Sequence, residues 1–214
     1  MNVRDRAVWV TGASSGIGAA LAIEFARRGA RLVLSARSVE KLEEVRVSCA
    51  RPELHRVVPL DLGNAATIEQ AAEQVQAVPQ DIDVLVHCGG ISQRALATET
   101  TPEVLRRIME VNYFGTVLLT QRMLPGMLER GRGRIVVVSS LVGKFGTPLR
   151  SAYSASKHAL HGYFDSLRLE IWRQGVGITL ACPGFVQTEV SINALTGDGT
   201  PQGTMDQATK KGIS

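Results

Sequence analysis

The chain has 214 residues, 44% of them hydrophobic, and its 24 basic and 20 acidic side chains leave a net charge of +4. That is an ordinary composition for one soluble domain with a sizeable core. The basic residues are scattered and carry no interleaved aromatics, so no nucleic-acid partner is expected. No signal peptide or 18-residue apolar span is visible, so no membrane partner is expected and the protein reads as cytoplasmic. Cys49, Cys88 and Cys182 lie far apart, are odd in number and lack Cys-x-x-Cys spacing, so neither a metal site nor a disulfide framework is expected.

In chain order, Ala7-Val8-Trp9-Val10 reads as a first strand that runs into Thr11-Gly12-Ala13-Ser14-Ser15-Gly16-Ile17-Gly18. Ile17, Leu21 and Phe25 then recur at helical spacing, and Gly29 closes the helix. Glycines after a strand permit a tight turn, and the helix start aims amide hydrogens and a positive dipole at a phosphate. The Gly-x-x-x-Gly-x-Gly spacing is a variant of the dinucleotide fingerprint. Arg31–Ser35 is the second strand, and Ser38 caps a helix reaching about Cys49. NAD-binding loops carry an acidic residue about 20 positions beyond the glycines. Here the place reads Ser35-Ala36-Arg37, and a guanidinium can grip a 2′-phosphate bidentately. NADP(H) is therefore the preferred cofactor, with NAD(H) possible.

Val57–Leu60 is the third strand, ending at Asp61-Leu62. Ile68, Ala71, Ala72, Val75 and Val78 mark a helix. Asp83–His87 is the fourth strand and leads into Cys88-Gly89-Gly90. Thr101-Pro102 opens a helix expected to run to about Arg130, bent near Pro125, with Asn112 inside it. Arg134–Ser140 is a β-branched fifth strand expected to be buried on both faces. A helix carrying Tyr153 and Lys157 ends at Gly175, and Gly177–Cys182 is the sixth strand, followed by Pro183-Gly184. Phe185–Ser214 has no strong core pattern and reads as a lid or a ragged end. The expected units are 1–190 and 191–214. Strands alternating with helices predict a doubly wound parallel α/β sheet, whose ligands lie beyond the strands' carboxyl ends.

Tyr153 and Lys157 sit four apart and share a helix face. A phenol titrates near 10 and is a poor base at neutral pH. An ammonium roughly 4 Å away favours the phenolate by about 4 kcal/mol at an effective dielectric of ~20. The expectation is therefore a Tyr153 whose pKa is lowered by Lys157, able to exchange a proton with an alcohol near neutrality.

Together these residues resemble the short-chain dehydrogenase/reductase family over about residues 6 to 190. The motifs Thr11-Gly-x-x-x-Gly-Ile-Gly18, Asp61, Asn112, Ser140, Tyr153, Lys157 and Pro183-Gly184 all occur in family order. The resemblance implies a Rossmann-like three-layer fold and carbonyl–alcohol interconversion. It makes Tyr153 the general acid/base, Lys157 its partner and a ribose ligand, and Ser140, rather than Ser139, the donor to the substrate oxygen. Asn112 would hold a water leading to Lys157. Gly12, Ser14, Ser15, Gly16, Ile17 and Gly18 would wrap the pyrophosphate. Asp61 and Leu62 would border the adenine. Cys88, Gly89 and Gly90 would back the cofactor, with Pro183, Gly184, Val186 and Thr188 on its nicotinamide side.

Two departures stand out. His87-Cys88-Gly89-Gly90 replaces the family's Asn-Asn-Ala-Gly, an imidazole standing in for the first amide. The family also continues with a further helix and strand, so the chain reads as shortened at Ser214; the full-length form would be a homodimer or homotetramer. Leu141, Val142, Phe145, Leu149, Ile192 and Leu195 imply an apolar pocket for a hydrophobic ketone or acyl substrate. A non-catalytic dinucleotide sensor is the alternative, but it would need none of Asn112, Ser140, Tyr153 and Lys157 together. An epimerase or dehydratase would need a separate substrate domain, for which there is no room.

Overall fold

The computed structural model describes residues 2–78 and 81–213. Met1, Pro79, Gln80 and Ser214, which fall within the expected units 1–190 and 191–214, lie outside the described residues. Strands β1 (Ala7–Thr11), β2 (Arg31–Ser35), β3 (Arg56–Val57), β4 (Val84–His87), β5 (Gly133–Val138) and β6 (Val176–Ala181) form one sheet in the order β3-β2-β1-β4-β5-β6. Every neighbouring pair is parallel. The predicted doubly wound topology is therefore the observed one.

The alternation of β1 shows why the sheet is covered on both faces. Val8 and Val10 join a core with Ala22 and Ala26 of α1 (Gly16–Arg27) and Leu42 of α2 (Val39–Ser48). Ala7 and Trp9 join the opposite core, with α3 (Ala65–Gln76), α5 (Gly115–Glu129) and α6 (Ser151–Glu170). Successive side chains of a strand point to opposite faces, so an unbroken apolar run needs a helix layer on each side. The Trp9 indole N–H also donates to the Ser35 hydroxyl at 2.8 Å, which satisfies its one polar atom inside the core.

Two sequence expectations are corrected here. β5 is not buried on both faces: Arg134 is exposed and Val136 and Val138 are only half-buried. α1 and α2 lie over β1, β2 and β3, whereas α5 and α6 cover β5 and β6 from the other side. The long helix also divides into α4 (Pro102–Met109), a π-helical turn (Glu110–Phe114) and α5. Pro125 sits inside α5 without ending it. The break falls at Asn112, whose side chain is tied to Ile91, and just before Gly115, where an added Cβ would lie 2.1 Å from the Leu62 carbonyl oxygen. A π-turn absorbs the extra residue that this close approach demands.

The register aligns the strand ends. Thr11 pairs with Ser35 and with His87, and His87 pairs with Val137. Everything just past those residues emerges on one rim. The sheet order reverses between β1 and β4, which opens a crevice at that rim.

After β6 the chain folds back over the rim and ends in the short helix α7 (Gln207–Lys210). Ala194 and Leu195 are buried, Leu195 against Val104, Ile108 and Ala152. The Leu195 amide donates to the Ser92 carbonyl at 2.9 Å, and the Arg94 amide donates to the Leu195 carbonyl at 2.8 Å.

Candidate active site

The glycine loop is built by close approach. Gly12 has φ +65°, and a Cβ there would lie 2.6 Å from the Gly89 nitrogen. A Cβ at Gly18 would lie 2.2 Å from the Gly12 carbonyl oxygen. Larger residues at either place would push β1, β4 and α1 apart. Ser15 caps α1 in extended conformation with no side-chain cap bond, and the first turn contains no acidic residue. The first-turn amides thus face the crevice without an intramolecular acceptor, as an anion cradle requires.

A groove of about 990 Å³ runs along the rim. Gly12, Ser14, Ser15, Gly16, Ile17, Gly18, Arg37, Asp61, Leu62, Cys88, Gly89, Gly90, Ser140, Tyr153, Lys157, Pro183, Gly184, Val186 and Thr188 line it. Among the residues nominated for catalysis or cofactor binding, Asn112 alone does not. Of those nominated for an apolar pocket, Leu141, Val142, Phe145, Leu149, Ile192 and Leu195 do not line it either, and Leu195 is instead buried against α4 and α6. Asn112 is fully buried behind the groove, where its side-chain oxygen accepts from the Ile91 amide at 2.8 Å. Its amide nitrogen donates to the Ile91 carbonyl and the Ser156 hydroxyl, each at 2.9 Å. The side chain is thereby fully engaged in holding the loop after β4 against α6.

Several lining residues were not nominated from sequence: Lys41, Arg106, Arg107, Glu110, Glu189 and Asn193. Lys41 had a legible signal, since it lies four positions after Arg37 in the first turn of α2. The Lys41 ammonium pairs with Glu189 of the returning segment at 3.4 Å, both groups being about half exposed. Glu189 and Asn193 reach the groove through the chain's return over the rim, which no local pattern announces.

Tyr153 lies in the first turn of α6, partly buried. Burial pushes its phenol above the usual value, while the neighbouring Ser140 hydroxyl and the charges of Arg94 and Arg150 pull the other way. This direction is opposite to the one expected from the Tyr-x-x-x-Lys spacing. The Lys157 ammonium is 5.7 Å from the Tyr153 ring centroid and donates to the Val138 carbonyl at 3.0 Å. Burial pulls its own pKa down to about 8.

Ser140 follows β5 and accepts from the Val142 amide at 3.4 Å, so its oxygen is oriented by the turn Leu141–Gly143. Ser139 faces away from Ser140 and contacts His161 Nε2 at 3.1 Å. His158 is exposed, and its Nδ1 meets the Ser154 carbonyl at 2.8 Å.

The His87-Cys88 departure is absorbed by the core. Thr120 donates to the Thr116 carbonyl at 2.8 Å, so His87 Nε2–H donates to the Thr120 oxygen at 2.9 Å. Burial pushes the His87 pKa down to about 3, and its ring stays neutral. The partly buried Cys88 thiol is pushed up to about 12 by its desolvation. Neither residue adds charge to the groove at neutral pH.

A family model described as short chain dehydrogenase matches residues 6–198. The chain belongs to the short-chain dehydrogenase family. It is 44% identical over 216 residues to a Drosophila melanogaster dehydrogenase/reductase SDR family protein 7-like, covering 98% of this chain and 66% of that protein. The chain spans about two thirds of the length of the curated relatives it matches. Among solved structures, a short-chain dehydrogenase from Streptomyces avermitilis superposes with a TM-score of 0.84 at 31% identity, covering 98% of this chain and 75% of that one. A gluconate 5-dehydrogenase from Burkholderia cenocepacia, in complex with NADP and tartrate, gives 0.82 at 28% identity, covering 89% and 76%. The family is one of oxidoreductases. Among the described residues no helix is long and apolar enough to cross a membrane.

Proposed function

We propose that the protein is an NADP(H)-dependent oxidoreductase that interconverts a carbonyl and an alcohol, working as a reductase on a hydrophobic ketone or acyl-type substrate. One observation carries this reading: Ser140, Tyr153 and Lys157 line the same groove as the glycine loop. Bound NADPH supplies the hydride, and the rest is done by the chain.

The glycine loop fits the diphosphate, because its cradle admits no Cβ and the α1 amides beyond it lack acceptors. Arg37 supplies a cation where β2 and α2 meet the groove, Lys41 a second that now pairs with Glu189, and the local sequence holds no carboxylate before Glu40. Two cations favour a 2′-phosphate over a free hydroxyl. Asp61 and Leu62 border the adenine, and Pro183, Gly184, Val186 and Thr188 close the nicotinamide side.

Tyr153 is the proton donor to the developing alkoxide and Ser140 the second donor to the same oxygen. A phenol held above its usual pKa keeps its proton at neutral pH, which suits an acid in carbonyl reduction better than a base in alcohol oxidation. Arg94 and Arg150 stabilise the phenolate left behind. Lys157 holds the ribose and feeds protons back, and Asn112 positions the loop beside it.

Leu141, Phe145, Leu149 and Phe185 are exposed, Leu141 beside the groove residue Gly184, and they form the apolar wall for the substrate. Three unpaired cysteines agree with a reducing, cytoplasmic location. Exposed Leu105, Phe114 and Leu169 on the outer helices, with Trp172 in the turn after α6, offer surface for a homodimer or homotetramer. The deciding assay follows ketone-dependent NADPH absorbance for the parent and Tyr153→Phe. Turnover should fall by at least about 10²-fold with NADPH affinity retained. A variant with near-parental turnover removes Tyr153 from the mechanism.

A further inference from the structure

Arg94 and Arg150, whose charges both act on Tyr153, are 10% and 15% exposed and share one carboxylate. Asp206, from the segment that returns over the rim, takes both guanidiniums on its Oδ2. The two arginines are used unequally. Arg94 uses four of its five N–H donors: it binds Asp206 through Nε and Nη2, and its Nη1 donates to the Ser92 hydroxyl at 2.8 Å and the Gln93 carbonyl at 2.6 Å. Arg150 makes only long bonds, 3.2 Å to Asp206 and 3.4 Å to the Thr147 hydroxyl.

The cluster keeps one unit of positive charge in excess. It does so where a cation is least welcome, because Arg150 stands at the N-terminal end of α6 and makes no side-chain cap there. Burial and the neighbouring Arg94 both disfavour its charge. A half-used, poorly compensated guanidinium is what an incoming anion would complete.

Its position says which anion. Arg150 immediately precedes the first turn of α6, which carries Tyr153, and its charge acts on the Tyr153 phenol. The Arg150 guanidinium also lies 5.7 Å from the centroid of Phe185, part of the exposed apolar wall. We propose that Arg150 is a specificity residue that grips a carboxylate or phosphate on the substrate, a few bonds from the carbonyl presented to Tyr153, with Arg94–Asp206 as the fixed pair that aims it. The substrate class is then an anionic, partly apolar oxo compound. This rests on the oxidoreductase reading for the carbonyl end, but the anion site can be read without turnover.

The test is calorimetric binding of octanoate, octyl phosphate and neutral octanamide, with and without NADP. In the parent at least one anion should bind about tenfold or more tighter than octanamide, and the stronger of the two names the headgroup. Arg150→Gln should erase that preference and Arg150→Lys restore part of it. Asp206→Asn, which leaves two uncompensated guanidiniums, should tighten the anion further, and it tests the site even if Arg150→Gln does not fold. Equal binding of anions and octanamide by the parent, or a preference that survives Arg150→Gln, would mean that the cluster only staples the returning segment. Anion binding through Arg150 in a protein that reduces no ketone would leave this site standing and sink the reductase reading instead.

Discussion

Lys157 sits at a cost that can be measured. It is 5% exposed, and burial lowers its pKa from the ordinary 10.5 to about 8. The unfolded chain keeps the ordinary value, so between about pH 8 and 10.5 the unfolded state binds more protons and stability rises with pH. Below about pH 8 both states are protonated and the folded protein carries the whole cost, about 3 kcal/mol at roughly 1.4 kcal/mol per pH unit. Lys157→Met removes the charge but strands the Val138 carbonyl that the ammonium now satisfies, a loss of about 1 kcal/mol. Without cofactor, the variant should be more stable than the parent by about 2 kcal/mol at pH 7. At pH 9.5 the parent has recovered about 2 kcal/mol and the difference should be close to zero. Urea unfolding of both proteins at pH 7, 8.5 and 9.5, followed by far-ultraviolet circular dichroism, reads this directly. A difference that stays constant with pH, or a variant less stable at pH 7, refutes the idea that Lys157 is held charged against its burial. The same substitution should abolish turnover, a stability gain made by giving up the site.

Arg37→Gln and Lys41→Gln should each raise the NADPH dissociation constant by about tenfold and leave that for NADH within about twofold, as read by nicotinamide fluorescence. Equal losses for both cofactors would place these cations elsewhere than at a 2′-phosphate. Gly12→Ala puts a Cβ against the Gly89 backbone at a positive φ, so NADPH should no longer raise the melting temperature. An undiminished shift would show that the loop is not the diphosphate cradle. Leu195→Ala should lower unfolding free energy by about 2–3 kcal/mol, because the buried side chain packs on α4 and α6. A change below about 0.5 kcal/mol would mean that the returning segment contributes no core.

The sheet and its rim were legible because their signals are local and repeat. Most strands are apolar runs, although the third, expected at Val57–Leu60, pairs only over Arg56–Val57, and strand–helix alternation leaves one topology that keeps the crossovers right-handed. The nominated groove residues follow from the same rule, since each stands just past a strand end, or on the helix that follows. Asn112 shows where the reading weakens. It was nominated to hold a water leading to Lys157, but its side chain lies behind the groove in the π-turn, bonded to Ile91 and Ser156. The expected covering of β5 on both faces also went astray, because a strand's composition does not report which helices reach it.

What the sequence by itself determined is the covalent order of the site: a glycine loop, a cation in place of an acid after β2, and a serine, tyrosine and lysine in the family's spacing. Only the tertiary structure decided their electrostatics. The Tyr153 phenol is raised rather than lowered, because burial acts on it directly while the Lys157 ammonium is turned to the Val138 carbonyl. Arg94, Arg150 and Asp206 meet although 56 residues separate the last two and 112 the first and third. Charge interactions depend on distance and burial in the folded molecule, and neither quantity is written in residue order.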